Sequence, residues 1–155
     1  MIRSALILLL IQWLLFAFII GIKMVPNDDM YPNIKAGDIM MYYRLNKTPN
    51  AQDIIFLRKN KTDYVGRVVA GAGDTVEVTK EGNLLINGNM VTESNIFFTT
   101  PLYEGFVEYP LKLSNGKYFV LADKREGGED SRYYGPVDQK EIKGTLIGLY
   151  RRAGF

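Results

Sequence analysis

An uninterrupted apolar run near the start constrains this chain more than any other feature. From Ser4 to Ile22 no residue is charged, and Leu, Ile, Phe and Ala dominate. At about 1.5 Å per residue, such a run gives about 28 Å of helix, close to the thickness of a bilayer's hydrocarbon core. Arg3 and Lys23 bracket it, and Gln12 and Trp13 interrupt it. A cleaved secretory signal would be shorter and would end in a small-x-small site, which Ile22-Lys23-Met24-Val25-Pro26 does not offer. The run therefore predicts an uncleaved transmembrane helix, with residues 1–23 as membrane anchor and 24–155 as the domain that follows. The α-amino group and Arg3 outweigh Lys23, which leans toward a single-pass protein of the cell membrane with its domain on the extracytoplasmic side.

After Lys23 the pattern changes from continuous to alternating. Ile39–Leu45, Asp53–Arg58, Tyr64–Val69, Thr75–Thr79, Tyr118–Ala122 and Thr145–Tyr150 read as strands, punctuated by Gly37-Asp38, Gly71-Ala72-Gly73-Asp74, Glu81-Gly82-Asn83 and Gly88-Asn89. Asp123–Gly135 reads as a long polar loop. Ile96–Phe106 is apolar, aromatic and broken by Pro101; it suits a core strand at least as well as a surface that meets a membrane or a partner. No stretch holds a 3.6-residue period, so the expectation is a mainly β domain, a barrel or folded sheet, preceded by one transmembrane helix.

Charge and missing residue types narrow the chemistry. Arg3 and Lys23 account for the formal net charge of +2, and the remaining 17 basic side chains balance 17 acidic ones. The basic residues are scattered, which argues against nucleic acid. With no cysteine and no histidine there is no thiol nucleophile, no Ser-His or Cys-His pair and no expected metal site or cofactor. Any chemistry rests on carboxylates, lysines, hydroxyls and backbone.

The corner Val25–Leu45 presents Asp29 between the apolar run and the first strand of the domain, a rigid setting for one side chain. Met30-Tyr31-Pro32 with Gly37-Asp38 resembles the nucleophile box of the type I signal peptidases, membrane-anchored serine peptidases with a Ser-Lys dyad. Tyr64–Asp74 (YVGRVVAGAGD) resembles their lysine box, and Ala122–Val137 (ADKREGGEDSRYYGPV) aligns without a gap to their Gly-Asp-Asn-Arg…Asp-Ser-Arg box. The resemblance implies a signal-peptidase-like fold. It also implies that Asp29 stands at the nucleophilic serine, Gly66 at the lysine base and Gly128 at a serine that supports the lysine; Ala122 replaces a glycine. Asp38, Arg67, Asp74, Asp123, Arg125, Asp130, Ser131 and Arg132 match positions with structural roles in turns and ion pairs.

With those exchanges the dyad chemistry is lost, because it needs a hydroxyl and a neutral amine to take its proton. The expected protein is a pseudoenzyme, with no catalytic residues. It is similar to the signal-peptidase-like accessory proteins of Gram-positive pilus loci, which implies a membrane chaperone or scaffold at the cell surface, with pilin subunits and a sortase as partners. Asp29, Met30, Tyr31, Pro32 and Gly66 are its candidate binding groove, more acidic than before and with room where a lysine stem lay. The alternative is an active signal peptidase that cleaves preproteins with atypical residues.

Overall fold

The apolar run stops being a helix at Ile19, two residues before Gly21. In the computed structural model, which describes residues 2–94, 96 and 98–151, helix α1 spans Ile2–Ile19 and strand β1 spans Ile20–Met24. The run expected as one helix over 4–22 thus divides. Ile20 and Ile22 are β-branched and favour extended backbone, and the Tyr42 ring lies where a side chain on residue 21 would stand, so only glycine fits. Large apolar side chains at the consecutive positions Leu6–Ile11, then Trp13–Phe16 and Phe18, are exposed, so α1 is apolar on every side. Among the described residues, however, no helix is long and apolar enough to cross a membrane.

β1 pairs antiparallel with β2 (Ile39–Tyr43), Gly21 opposite Tyr42 and Lys23 opposite Met40. β3 (Ile54–Lys59) and β4 (Thr62–Ala70) form a hairpin; β5 (Thr75–Val78), β6 (Leu84–Ile86), β7 (Asn89–Met90) and β8 (Leu111–Lys112) build a smaller sheet. β9 (Lys117–Leu121), the one-turn helix α2 (Ser131–Tyr134), β10 (Val137–Asp138) and β11 (Ile142–Tyr150) complete the chain. The larger sheet runs β1-β2-β11-β3-β4-β9-β10, and the smaller β7-β6-β5-β8. This is the mainly β architecture expected, with α2 set inside the segment read as a polar loop.

Strand alternation divides the core. Val65 of β4 faces a cluster with Val25, Met30, Ile34, Met40, Tyr42 and Phe56. Val68 points the other way, toward Ile55, Leu57, Val120, Val137 and Ile142. Beyond a bulge between Val68 and Ala70, the end of β4 joins Phe119 and Leu121 against the smaller sheet. Side chains of this size contribute about 1.5–3 kcal/mol each when fully buried.

Ile96 and Phe98–Phe106 form no strand, and Phe97 lies outside the described residues. Pro101 has no N–H to offer a ladder. The segment is instead a strap over buried arginines: Thr100 Oγ1 accepts from Arg125 (2.7 Å), and Pro101 O from Arg132 (3.0 Å).

Candidate active-site corner

The corner is fastened at both ends by backbone. Val25 N–H donates to Asp38 O (2.8 Å), Gly37 N–H to Val25 O (3.0 Å) and Ile34 N–H to Met30 O (2.9 Å). Met30 is 1% exposed and packs into the core below, so its side chain supports the corner and does not line a groove. Gly66 is buried as well. Of the five groove candidates, Asp29, Tyr31 and Pro32 remain on the accessible side.

Asp29 is half-buried and held from both directions. Asn27 Nδ2 donates to its carboxylate at 2.7 Å, and the Asp29 carbonyl accepts from the Lys124 N–H at 2.8 Å. Burial pushes the Asp29 carboxyl above its ordinary pKa, and the nearby charges of Glu129 and Asp130 push the same way. The Asn27 amide and the Glu129 N–H act against them. Glu129 in turn accepts from the Tyr64 hydroxyl at 3.3 Å, and the Tyr64 ring lies 4.8 Å from that of Tyr134. Asn27, Tyr64, Glu129 and Tyr134 escaped the sequence reading. Tyr64 had a signal, since it sits two residues before Gly66 and so on its face of β4; Glu129 had none.

The two exchanged glycine positions, Gly66 and Gly128, leave no open space for a side chain. A Cβ on Gly66 would fall 2.5 Å from Val120 Cγ1, and Val120 is fully buried. The space expected beside Gly66 is therefore taken by Val120. A Cβ on Gly128 would fall 2.6 Å from the Ala122 methyl and 2.6 Å from Lys124 O. Ala122 and Gly128 are thus one exchange: a methyl group at 122 occupies the space of a side chain at 128.

Could a second carboxylate make Asp29 an acid–base pair? Asp123 is bound by Arg67 through Nε (2.8 Å) and Nη2 (2.7 Å), and by Asn33 (2.8 Å). Asp130 holds Arg132, accepts from Ala122 N–H (3.0 Å) and caps α2. Asp38 accepts from Lys35 N–H (3.0 Å), and Asp28 from Ala36 N–H (2.8 Å). Glu129 is near enough for its charge to act on Asp29, yet among the described residues no hydrogen bond joins the two carboxyls.

The other box residues are framework. Asp74 ties Gly71 to Asn87, both at 2.9 Å, and Ser131 Oγ accepts from Val120 N–H at 3.0 Å. Arg125 donates to Ala122 O (2.8 Å) and pairs with Glu93. Among the described residues no carboxylate cluster suits a metal ion.

Asp29→Asn tests the cost of keeping this charge. Because the folded-state pKa is raised, the ionised form disfavours folding above that pKa, and the penalty shrinks as pH falls toward about 4, the unfolded value. The variant should therefore show a higher urea midpoint than the wild type at pH 7, with the gap closing by about pH 4.

The comparisons agree with this geometry. The family described as signal peptidase, peptidase S26, matches residues 1–150. Signal peptidase I S of Bacillus subtilis is 30% identical over 154 residues, spanning 92% of this chain and 83% of the relative. A probable signal peptidase I-2 of Synechocystis is 28% identical over 144 residues, spanning 84% of this chain and 62% of the relative's length. Thylakoidal processing peptidase 1 of Arabidopsis thaliana is 28% identical over 83% of this chain, which spans 41% of that longer protein. The crystal structure of a signal peptidase I from Enterococcus faecalis superposes with a TM-score of 0.52 at 30% identity, covering 64% of this chain and 97% of the other. The chain belongs to the signal peptidase family, peptidase S26.

Proposed function

We propose that this chain is a catalytically inactive signal-peptidase homologue that resides at the cell membrane and holds client polypeptide without cleaving it. The observation that carries the reading is that the side-chain space is filled at two exchanged positions: Val120 takes that at Gly66, and Ala122 that at Gly128. An ionised carboxylate at Asp29 is a poor nucleophile toward an amide, and no amine stands at residue 66 to serve as base. Membrane residence is supported by the all-round apolar surface of α1. It continues on the outer face of β1, β2 and β11, where Ile22, Met24, Ile39, Met41, Tyr43 and Tyr150 are exposed.

The client would lie extended along the corner as an added strand, with Asp29 and Glu129 attracting a basic side chain. The exchange of aspartate for serine and glycine for lysine, as in the accessory proteins of pilus loci, supports a chaperone or scaffold role toward pilin subunits beside a sortase. In cells, Asp29→Ala should reduce pilin capture and polymer length while leaving the protein's own level unchanged. Undiminished polymerisation would remove Asp29 from the mechanism.

A second reading, an active signal peptidase, is favoured by the names of the relatives and by the Asp29–Glu129 proximity. It requires the two carboxyls to share a proton, and it predicts product termini at small-x-small sites.

A further inference from the structure

Where α1 leaves the domain, the chain gathers positive charge. Arg44 lies beside the helix end, its N–H donating to Ile19 O at 2.9 Å. Next to it a pocket of about 300 Å³ is lined by Tyr42, Arg44, Lys47, Phe56, Arg58 and Lys143. The two rings form its apolar floor, 4.9 Å apart, and belong to the buried core. Two of the four cations, Arg44 and Lys47, come from the segment after β2, and Arg58 and Lys143 from β3 and β11, so the sheet order itself assembles them.

Among the described residues, the carboxylate that pairs with a cation of this pocket is Asp63, and it is already engaged. Asp63 pairs with Arg58 and with Lys23 (3.0 Å), and the Arg58 hydrogen bond, then Lys23, holds its pKa down at about 2. Among the described residues no ion pair reaches Arg44, Lys47 or Lys143. The Lys47 ammonium donates to Ile142 O (2.7 Å) and Lys143 O (2.8 Å), which leaves one of its three N–H groups for a ligand. Burial, then the charges of Lys143 and Arg44, lower the Lys47 pKa, the mark of cations gathered without a counter-ion. The Arg44 guanidinium is held over the Tyr42 ring at 5.6 Å.

We propose that this pocket binds the phosphate of an anionic phospholipid headgroup, with Arg44, Lys47 and Lys143 as its ligands, at the base of the apolar helix. A lipid fits better than a free anion because the pocket adjoins α1, whose exposed apolar side chains would lie along the acyl chains of the same molecule. The inference rests on the membrane residence proposed above, but not on loss of catalysis.

The test is native mass spectrometry of the full chain in a zwitterionic detergent, titrated with short-chain phosphatidylglycerol, short-chain phosphatidylcholine or inorganic phosphate. One phosphatidylglycerol should be retained at least about tenfold more tightly than phosphatidylcholine. Arg44→Gln/Lys143→Gln should weaken it by about 25-fold, at about fivefold for each cation removed. Among the described residues neither side chain makes a hydrogen bond, and the contact of Arg44 with the Tyr42 ring is what the double variant loses, so it should melt within about 4 °C of the wild type; Lys143→Gln alone, at about fivefold, leaves that contact in place. Equal retention of the two lipids, or an undiminished affinity in the variants, would overturn the site. Inorganic phosphate binding as tightly as phosphatidylglycerol would overturn the lipid as its occupant. Because short-chain lipid needs no bilayer, failure here is separate from failure of α1 to insert.

Discussion

Asp130→Ala is expected to destabilise the folded domain by about 3–5 kcal/mol, the usual cost of leaving a buried partner charge uncompensated. The carboxylate is 1% exposed and Arg132 fully buried. It accepts from Arg132 Nε (2.9 Å) and Nη2 (2.7 Å), from the Arg132 N–H (3.0 Å) that starts α2, and from Ala122 N–H (3.0 Å). Removing it strands a guanidinium whose remaining bonds go to Pro101 O and Arg125 O. The strap over 98–106 should loosen with it. Urea unfolding followed by tyrosine fluorescence measures the loss. A change under about 1 kcal/mol would mean that the pair is worth no more than a surface ion pair.

Gly128→Ser should cost about 1–3 kcal/mol by overpacking, since its Cβ meets both a methyl group and a backbone oxygen at 2.6 Å. Ala122→Gly in the same chain removes the methyl but not Lys124 O, so the double variant should recover part of the loss, not all of it. A double-mutant cycle by chemical denaturation should give a favourable coupling of about 0.5–3 kcal/mol. Additivity would show that the two positions do not share one space. The cycle matters for the proposed function because it asks whether a serine can be accommodated at residue 128 at all.

Much of the fold was legible. Alternation located β2 to β5, β9 and β11, and glycine-centred turns several of their ends, whereas the two-residue β8 and β10 are too short to carry a pattern. Ordered boxes located Asp29, Gly66 and Gly128. What stayed hidden depended on contacts distant in sequence. Nothing before Lys23 signals that Ile20–Met24 must pair with Ile39–Tyr43, and the end of α1 at Ile19 follows from that pairing. Ile96–Phe106 looked like a strand because its aromatic content is high, yet its place is set by the buried guanidinium groups of Arg125 and Arg132 beneath it. Gly66 looked like an opening because glycine lacks a side chain, but Val120 on the neighbouring strand fills it. Glu129 became visible only when the fold set it beside Asp29.

On the proposed reading, these contacts also bear on whether substitution can install a Ser-Lys dyad. A lysine at 66 must displace fully buried Val120, and one at that position would also lack its supporting serine at 128. On the proposed reading, packing as well as residue identity opposes a lysine base at this position. The most direct measurement is cleavage of a lipid-embedded preprotein by the wild-type chain, with Asp29→Ser/Gly66→Lys as companion. The account predicts no processed product from the wild type and none from the companion unless Val120 is also reduced in size. Wild-type turnover, with a new terminus after a small-x-small site, would contradict it.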